Sequence, residues 1–293
     1  MSIIDKIKKN QDLASLPHIA SKVLKMIQNK DADINEIARV LEADPVLTMK
    51  ILRVANSPIF ATRGEINNIN HALMLLGMKR ISNIVISVSI YSKFFISTHK
   101  NAAMLMERFF THSYLTAMLS KSLAQILRKK FEDNEFTGGL LHDIGKMAML
   151  QVHPKEYSLV RQLIMQEGLN ELAAEKEVFS ENHVEIGLQM AHLWKLPEEI
   201  HRIIAFYKFP DQNDDLLDLV SIVGFCDVYA KQRDNIVAVP NAWEEEPFNY
   251  GKVDAWKVLC KVIPELKKIN VNKLTKHLDI TLRKAPKDLE MFK

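Results

Sequence analysis

One stretch decides the fold, and it reads Gly138-Gly139-Leu140-Leu141-His142-Asp143-Ile144-Gly145-Lys146. A histidine and an aspartate stand side by side within an apolar run. An imidazole and a carboxylate are ligands that divalent metals accept, but a mononuclear site needs about four ligands. The doublet therefore predicts a metal site only if other helices bring further ligands to it. The alternative is a histidine packed in the core or in the first turn of a helix.

Glycines surround this doublet in a chain that is otherwise poor in glycine. Gly138, Gly139 and Gly145 are three of only 9 glycines among 293 residues. Because glycine has no side chain, it lets a neighbouring backbone approach closely. Their positions predict tight backbone packing around the doublet.

The composition predicts an all-α fold. Hydrophobic residues make up 47% of the chain, which is enough for a full globular core, and the length allows two subdomains. With 9 glycines and 10 prolines, the chain has few turn residues for a sheet of many strands. Its leucine, isoleucine, lysine, glutamate, methionine and alanine content favours helices.

Charge and hydropathy exclude several classes of protein. The net charge of +3 is mild and its lysines and glutamates are interspersed, which makes nucleic acid an unlikely partner. Residues 33–54 resemble a helix-turn-helix, but the turn is acidic and few basic residues follow, so duplex DNA binding is only a minor alternative. The N-terminus lacks a signal peptide and the apolar run 81–97 is interrupted by polar residues, so we expect no membrane span and a cytoplasmic location. The 2 cysteines suggest a reducing compartment.

Local signals predict where several helices begin and end. Asp44 before Pro45 is typical of an N-cap followed by a first-turn proline. Gly77 is expected to close the preceding helix. Ser180 is predicted to cap the helix that begins near His183. The β-branched run 84–90 is interpreted as a buried helix, since no partner strand is evident.

Two further residues are candidate ligands. His112 lies on or beside the apolar stripe of the longest helical pattern, residues 101–130. A single histidine there is either a packed core residue or a ligand. Asp227 is an isolated acid within the apolar helix 216–231, where a carboxylate needs a partner or a function.

The N-terminal half of the sequence, together with two later motifs, resembles the HDOD family, a branch of the HD superfamily found in bacterial signalling proteins. The resemblance covers about residues 10–212 and rests on words in family order: Leu16-Pro17, Ala43-Asp44-Pro45-Val46-Leu47-Thr48, Ile51-Leu52-Arg53-Val54-Ala55-Asn56-Ser57, Ala72-Leu73-Met74-Leu75-Leu76-Gly77, His183-Val184-Glu185-Ile186-Gly187 and Trp194-Lys195-Leu196-Pro197.

This resemblance implies an HD-type helical bundle with an additional N-terminal helical subdomain. We expect the subdomain to span residues 1–97 and the HD-like bundle with its C-terminal helices to span residues 98–293. The superfamily pattern implies a metal held by four residues, which match His112, His142, Asp143 and Asp227 here.

The chain departs from a related branch, the HD-GYP cyclic dinucleotide phosphodiesterases. That branch has paired histidines where this chain has Ala205-Phe206-Tyr207-Lys208, and it has a Gly-Tyr-Pro loop that this chain lacks. A binuclear phosphodiesterase is therefore not expected. His183, His192 and His201 are interpreted as structural residues or as supports for the ligands.

Two functions follow from the resemblance. The first is a non-catalytic signal-transduction module that binds a signalling partner, a nucleotide or a phosphate ligand. The alternative is a mononuclear phosphohydrolase acting on a nucleotide or phosphoester, with Mn²⁺, Fe²⁺, Mg²⁺ or Zn²⁺ activating water. In that case Asp143 and Lys146 would be the catalytic residues, with Lys146 offsetting phosphate charge.

Overall fold

The chain folds into helices joined by short connections. A computed structural model describes residues 3–10, 13, 15–27, 32–57, 60, 64–96, 102–233 and 248–289, and these residues contain no strand. This confirms the all-α prediction. Residues 232–250, whose prolines and glutamates predict a loop, lie mostly outside the described residues.

The N-terminal part contains six described helices. They are α1 (Ile3–Lys9), α2 (His18–Ile27), α3 (Ile34–Glu42), α4 (Pro45–Ala55), α5 (Ile69–Leu76) and α6 (Met78–Ile96).

The remaining α-helices follow a break in the described residues. They are α7 (Ala103–Ile126), α8 (Asn134–Leu141), α9 (Ile144–Val152), α10 (Pro154–Glu167), α11 (Glu171–Phe179), α12 (His183–Leu193), α13 (Glu198–Phe206), α14 (Leu217–Gln232), α15 (Asp254–Val262) and α16 (Val271–Leu289).

Most of the predicted helix ends are confirmed, and one is wrong. The Asp44 carboxylate accepts hydrogen bonds from the backbone of Val46 and Leu47, and Gly77 closes α5 with φ of 82°. Ser180, however, ends α11 in a left-handed conformation and does not cap α12. Asn182 caps α12 instead, because its amide and Glu185 form a reciprocal capping box.

The β-branched run forms part of a buried helix, as predicted. Residues 84–90 lie in α6 and are buried on every side. They pack against α2, α4 and α5 on one side and α7 and α8 on another. Because tertiary contacts surround this helix, they outweigh the weak helix propensity of its valines and isoleucines.

Helix α7 packs against α8, α14 and α16. Gly139 on α8 allows this helix to lie directly on the α7 backbone, since a Cβ at Gly139 would lie 2.7 Å from the Cα of Ala117 on α7. Real Cβ atoms do not come that close to backbone, so a glycine is required at this point. This confirms the close packing predicted around the doublet.

The division at residue 97 stays a prediction. Residues 97–101 lie outside the described residues, and the buried core includes side chains from both proposed parts. The N-terminal helix α1 packs against α9 and α12 of the C-terminal part. Among the described residues, no helix is long and apolar enough to cross a membrane.

Replacing Gly139 with alanine should separate α8 from α7. The added methyl group would press on the Ala117 backbone, which cannot rotate away, and we expect a loss of about 3 kcal/mol in the free energy of unfolding. Gly251→Ala is the matched control, because its Cβ would meet only Asn249 Oδ1 at 3.4 Å. Urea denaturation measures both variants, and equal stabilities would contradict this account of the glycine.

Candidate metal centre

The four predicted ligands come together inside the bundle. His112 projects from α7, the His142-Asp143 doublet joins α8 to α9, and Asp227 projects from α14. One nitrogen or oxygen atom of each residue lies within 4.8 Å of the others. His142 is fully buried, and Asp143 and Asp227 are nearly so. A cluster of this composition could hold a metal ion.

Glycines position the doublet by letting helices touch. A Cβ on Gly145 would collide with the carbonyl oxygen of His183, so α9 and α12 meet there backbone to backbone. A Cβ on Gly138 would collide with the Ile203 side chain on α13. Because α9 is held in this way, the doublet faces inward toward α7 and α14.

The distances between the possible ligand atoms suit a divalent ion. His142 Nε2 lies 3.3 Å from Asp227 Oδ1 and 3.5 Å from Asp143 Oδ2, and His112 Nε2 lies 2.8 Å from the same Asp227 oxygen. Ligands about 2.1 Å from a common ion are roughly 3 to 3.5 Å apart. These three separations are close to that spacing, while His112 Nε2 lies 3.9 Å from Asp143 Oδ2.

Hydrogen bonding also prepares His142 to be a ligand. Its Nδ1–H donates to the carbonyl oxygen of Gly139 at 2.7 Å, which leaves the Nε2 lone pair facing the cluster. Metal-binding histidines generally use their second nitrogen in this way. His112 lacks such a contact, since its buried Nδ1 has no hydrogen-bond partner.

The local charges keep the donors in the form a metal needs. Burial by itself would raise the pKa of Asp143, but the Lys146 ammonium and other nearby cations hold that pKa well below its usual range. Burial likewise opposes ionisation of Asp227, but Lys231 and a hydrogen bond from His112 hold its pKa well below the usual range. Burial lowers the pKa of His112, which favours the neutral imidazole.

A buried polar chain supports the doublet, and the sequence did not reveal it. The Tyr207 hydroxyl donates to Asp143 Oδ1 at 2.5 Å and lies 2.8 Å from His183 Nε2. On the far side of its ring, His183 Nδ1 donates to Glu175 Oε2 at 2.6 Å. Burial and the nearby Asp143 charge raise the pKa of Tyr207 well above its usual range, so its hydroxyl stays protonated.

The sequence contained only indirect signs of this chain. The sequence indicates that His183 is structural or supports the predicted ligands, and His183 reaches Asp143 through Tyr207. Tyr207 was noted only because it stands where a related branch has paired histidines. Nothing in the local pattern of α11 distinguished Glu175 from other acids on a surface helix. His192 and His201 contact one another, with ring centroids 4.3 Å apart and ring planes inclined by 50°.

Three lysines converge on Glu171, the first residue of α11. Its carboxylate lies 2.6 Å from the Nζ of Lys146, 3.3 Å from that of Lys208 and 3.8 Å from that of Lys231. Although burial would raise the pKa of Glu171, Lys146 and the other nearby cations lower it to about 2. The sequence does not indicate this contact, because α10 separates Lys146 from Glu171 along the chain.

The lysines also contact the metal-site carboxylates. Lys146 Nζ donates to Asp143 Oδ2 at 2.6 Å, and Lys231 Nζ lies 3.1 Å from Asp227 Oδ1. Glu171 thus pairs with three lysines, two of which also contact the carboxylates of the His-Asp cluster. We call Lys146, Lys208 and Lys231 the lysine cluster.

Comparisons with known proteins agree with this architecture. An all-helical bundle that gathers a histidine, a histidine-aspartate doublet and a later aspartate defines an HD-type protein. More narrowly, the chain belongs to the HDOD family, since the family model described as HDOD domain matches residues 13–210. The resemblance inferred from the sequence is therefore confirmed.

Individual relatives are distant. An uncharacterized protein of Treponema pallidum (strain Nichols) is 22% identical over 228 residues, which are 78% of this chain but only 43% of that protein. An HDOD domain protein of unknown function from Geobacter sulfurreducens superimposes with a TM-score of 0.68 at 22% identity, covering 92% of each chain. A candidate phosphohydrolase from Shewanella amazonensis SB2B also gives 0.68, at 21% identity over 97% of each chain. These structures show a shared fold.

Removing the Glu175 carboxylate should destabilise the protein. Glu175 is fully buried and accepts hydrogen bonds from both the Nδ1 and the backbone N–H of His183. Glu175→Ala leaves these donors buried without an acceptor, and we expect a loss of about 3 kcal/mol in unfolding free energy. The measurement is urea denaturation.

The matched control is Glu177→Ala, which removes an exposed acid from the same helix and should change stability by less than about 0.5 kcal/mol. Similar losses in the two variants would show that the buried chain contributes no more than a surface charge.

Proposed function

We propose that this HDOD protein is a non-catalytic regulatory module that acts in signal transduction by binding a partner protein or a phosphate-bearing ligand. In this proposal the module retains a divalent metal site formed by His112, His142, Asp143 and Asp227. The metal stabilises the arrangement of helices that the partner or ligand recognises.

The observation that supports this proposal most directly is that both carboxylate oxygens of Asp143 accept hydrogen bonds from the chain itself. One of its oxygens accepts the Tyr207 hydroxyl proton and the other accepts the Lys146 ammonium, at 2.5 and 2.6 Å. Asp143 is only 2% exposed. A general base needs an oxygen within hydrogen-bond reach of a water or substrate. Both oxygens of Asp143 are engaged by the chain itself, which supports a structural role.

The donor set nevertheless fits a metal ion. Two imidazoles and two ionised carboxylates suit Mn²⁺, Fe²⁺ or Zn²⁺, and Mg²⁺ less well because it prefers oxygen ligands. When bound, such an ion would act as a Lewis acid toward a phosphate oxygen or a water. His142 is held for this task by its bond to Gly139, and Asp143 is held by Tyr207.

We expect the purified protein to bind about one divalent ion per chain. His142→Ala and Asp227→Ala each remove one donor from the cluster and should lower the affinity at least about tenfold. His201→Ala is the control, because it removes a histidine that contacts His192 and keeps the cluster intact. Metal content by mass spectrometry and titration calorimetry measure the effect.

Circular dichroism confirms that each variant is folded before its metal content is compared. Equal metal binding by His142→Ala and His201→Ala would contradict the assignment of the cluster. So would a folded wild-type protein that binds none of the four ions.

A second function, a mononuclear phosphohydrolase, is favoured by one observation. The same cluster that could hold a metal lies beside three lysines, and metal together with ammonium groups is the usual means of stabilising charge in phosphoryl transfer. In this alternative Lys146 would bind substrate phosphate, and Asp143 would have to release one of its present contacts.

Turnover assays separate the two functions. With the protein loaded with each of Mn²⁺, Fe²⁺, Mg²⁺ and Zn²⁺, we expect hydrolysis of p-nitrophenyl phosphate and nucleoside phosphates to be no faster than with His142→Ala, because both oxygens of Asp143 already accept hydrogen bonds from Tyr207 and Lys146. A rate at least about a hundredfold above that variant would establish the phosphohydrolase and refute the regulatory proposal.

A further inference from the structure

Glu171 occupies the centre of the lysine cluster as an ionised carboxylate. Its two oxygens together meet all three ammonium groups, one at 2.6 Å from Lys146 and the other at 3.3 and 3.8 Å from Lys208 and Lys231. A phosphate group is bound in proteins by a similar convergence of cationic donors. Glu171 therefore stands where an anionic ligand would make its contacts.

The charges in this region balance only while no metal is present. The ammonium groups of the lysine cluster face three carboxylates in direct contact with them, those of Glu171, Asp143 and Asp227. A divalent ion at the His-Asp cluster adds two positive charges to this buried region. An added anion would offset that excess, since uncompensated charge is costly away from water.

Of these carboxylates, that of Glu171 is the easiest to displace. Its side chain is 30% exposed, whereas those of Asp143 and Asp227 are 2% and 5% exposed. Glu171 can therefore move into water at a lower solvation cost than either buried aspartate. It is also the first residue of a helix and has no further helical turn before it.

Space for a ligand lies next to the cluster. A cavity of about 440 Å³ is lined by Lys208 and Lys231 and extends to Lys252. The acids on its wall already have partners, because Asp227 pairs with Lys231 and Asp254 pairs with Lys257 at 2.7 Å. The wall carries the ammonium groups of Lys208, Lys231 and Lys252 against the two carboxylates of Asp227 and Asp254, and this excess of positive charge favours an anion that enters from solvent.

We propose that the lysine cluster is a binding site for a phosphate dianion, either free or as a phosphomonoester, and that Glu171 is an internal competitor that occupies the site until the ligand displaces it. This inference deepens the proposed function, on which it rests for the metal site and for the regulatory role of ligand binding. Displacement frees the start of α11, and α11 also carries Glu175, the residue that supports His183. Ligand binding is thereby linked to the chain that holds Asp143.

The test measures phosphate binding by titration calorimetry in a phosphate-free buffer. Inorganic phosphate and adenosine monophosphate are the two probes, and each is used with metal-loaded and with chelator-treated protein. Glu171→Gln removes the competing charge but keeps the size of the side chain, so it should bind phosphate about tenfold more tightly than wild type. Glu177→Gln, an exposed acid on the same helix, should bind like wild type.

A second substitution tests the site itself. Lys208→Met, introduced into the Glu171→Gln protein, should remove most of the gained affinity, because it takes away a donor and keeps the aliphatic stem. Thermal unfolding establishes that both variants are folded. If inorganic phosphate binds and adenosine monophosphate does not, the ligand is the free ion, and the reverse result identifies a phosphomonoester.

The outcomes distinguish this inference from the metal proposal. Tighter phosphate binding by Glu171→Gln in chelator-treated protein supports the competitor role even if no metal binds. An affinity in Glu171→Gln that equals or falls below that of wild type, with metal bound, overturns the competitor role and leaves the metal site intact. Absence of phosphate binding in every protein, metal-loaded or not, also overturns it.

Discussion

The burial of two carboxylates governs the arrangement of the C-terminal bundle. Asp143 and Asp227 lie among packed helices with almost no contact with water, and an ionised group in that position is stable only beside cations and donors. The partners come from every side: histidines from α7 and the doublet, a lysine one turn into α9, a lysine from α14 itself and a tyrosine just after α13. The helices that supply these groups therefore cannot shift independently without leaving a charge unpaired.

Close backbone contacts make that gathering possible. Gly139 lets α8 rest on α7, and Gly145 lets α9 rest on the start of α12. The same two contacts place the doublet between the helices that carry His112 and Asp227. Residues 138–146 therefore determine both the packing and the charges of this region. Their glycines set the distance between the helices, and their polar residues face the space between them.

Sequence patterns singled out the four residues of the His-Asp cluster, but not the residues that contact them. His112, His142, Asp143 and Asp227 match the superfamily pattern by their order along the chain and by their neighbours. Glu171, Glu175 and Tyr207 could not be found in this way. Their roles depend on how α11 and the end of α13 pack over the doublet. The local sequence of α11 resembles that of a surface helix, and its pattern does not show which of its acids is buried. The cap of α12 was wrongly predicted at Ser180 because serine and asparagine are both good capping residues, and local sequence does not decide between Ser180 and Asn182.

The supports also explain why an assembled ligand set need not be an active site. A catalytic carboxylate must exchange its partners during a reaction, whereas Asp143 is held by a tyrosine on one oxygen and a lysine on the other. The same groups that make its charge stable in the core restrain it there. In this bundle the more exposed carboxylate is Glu171, which bridges the lysines at the edge of the cluster. Exchange with solutes from solvent is therefore easiest at the lysines and hardest at the doublet, which is the order that the proposed ligand-binding role requires.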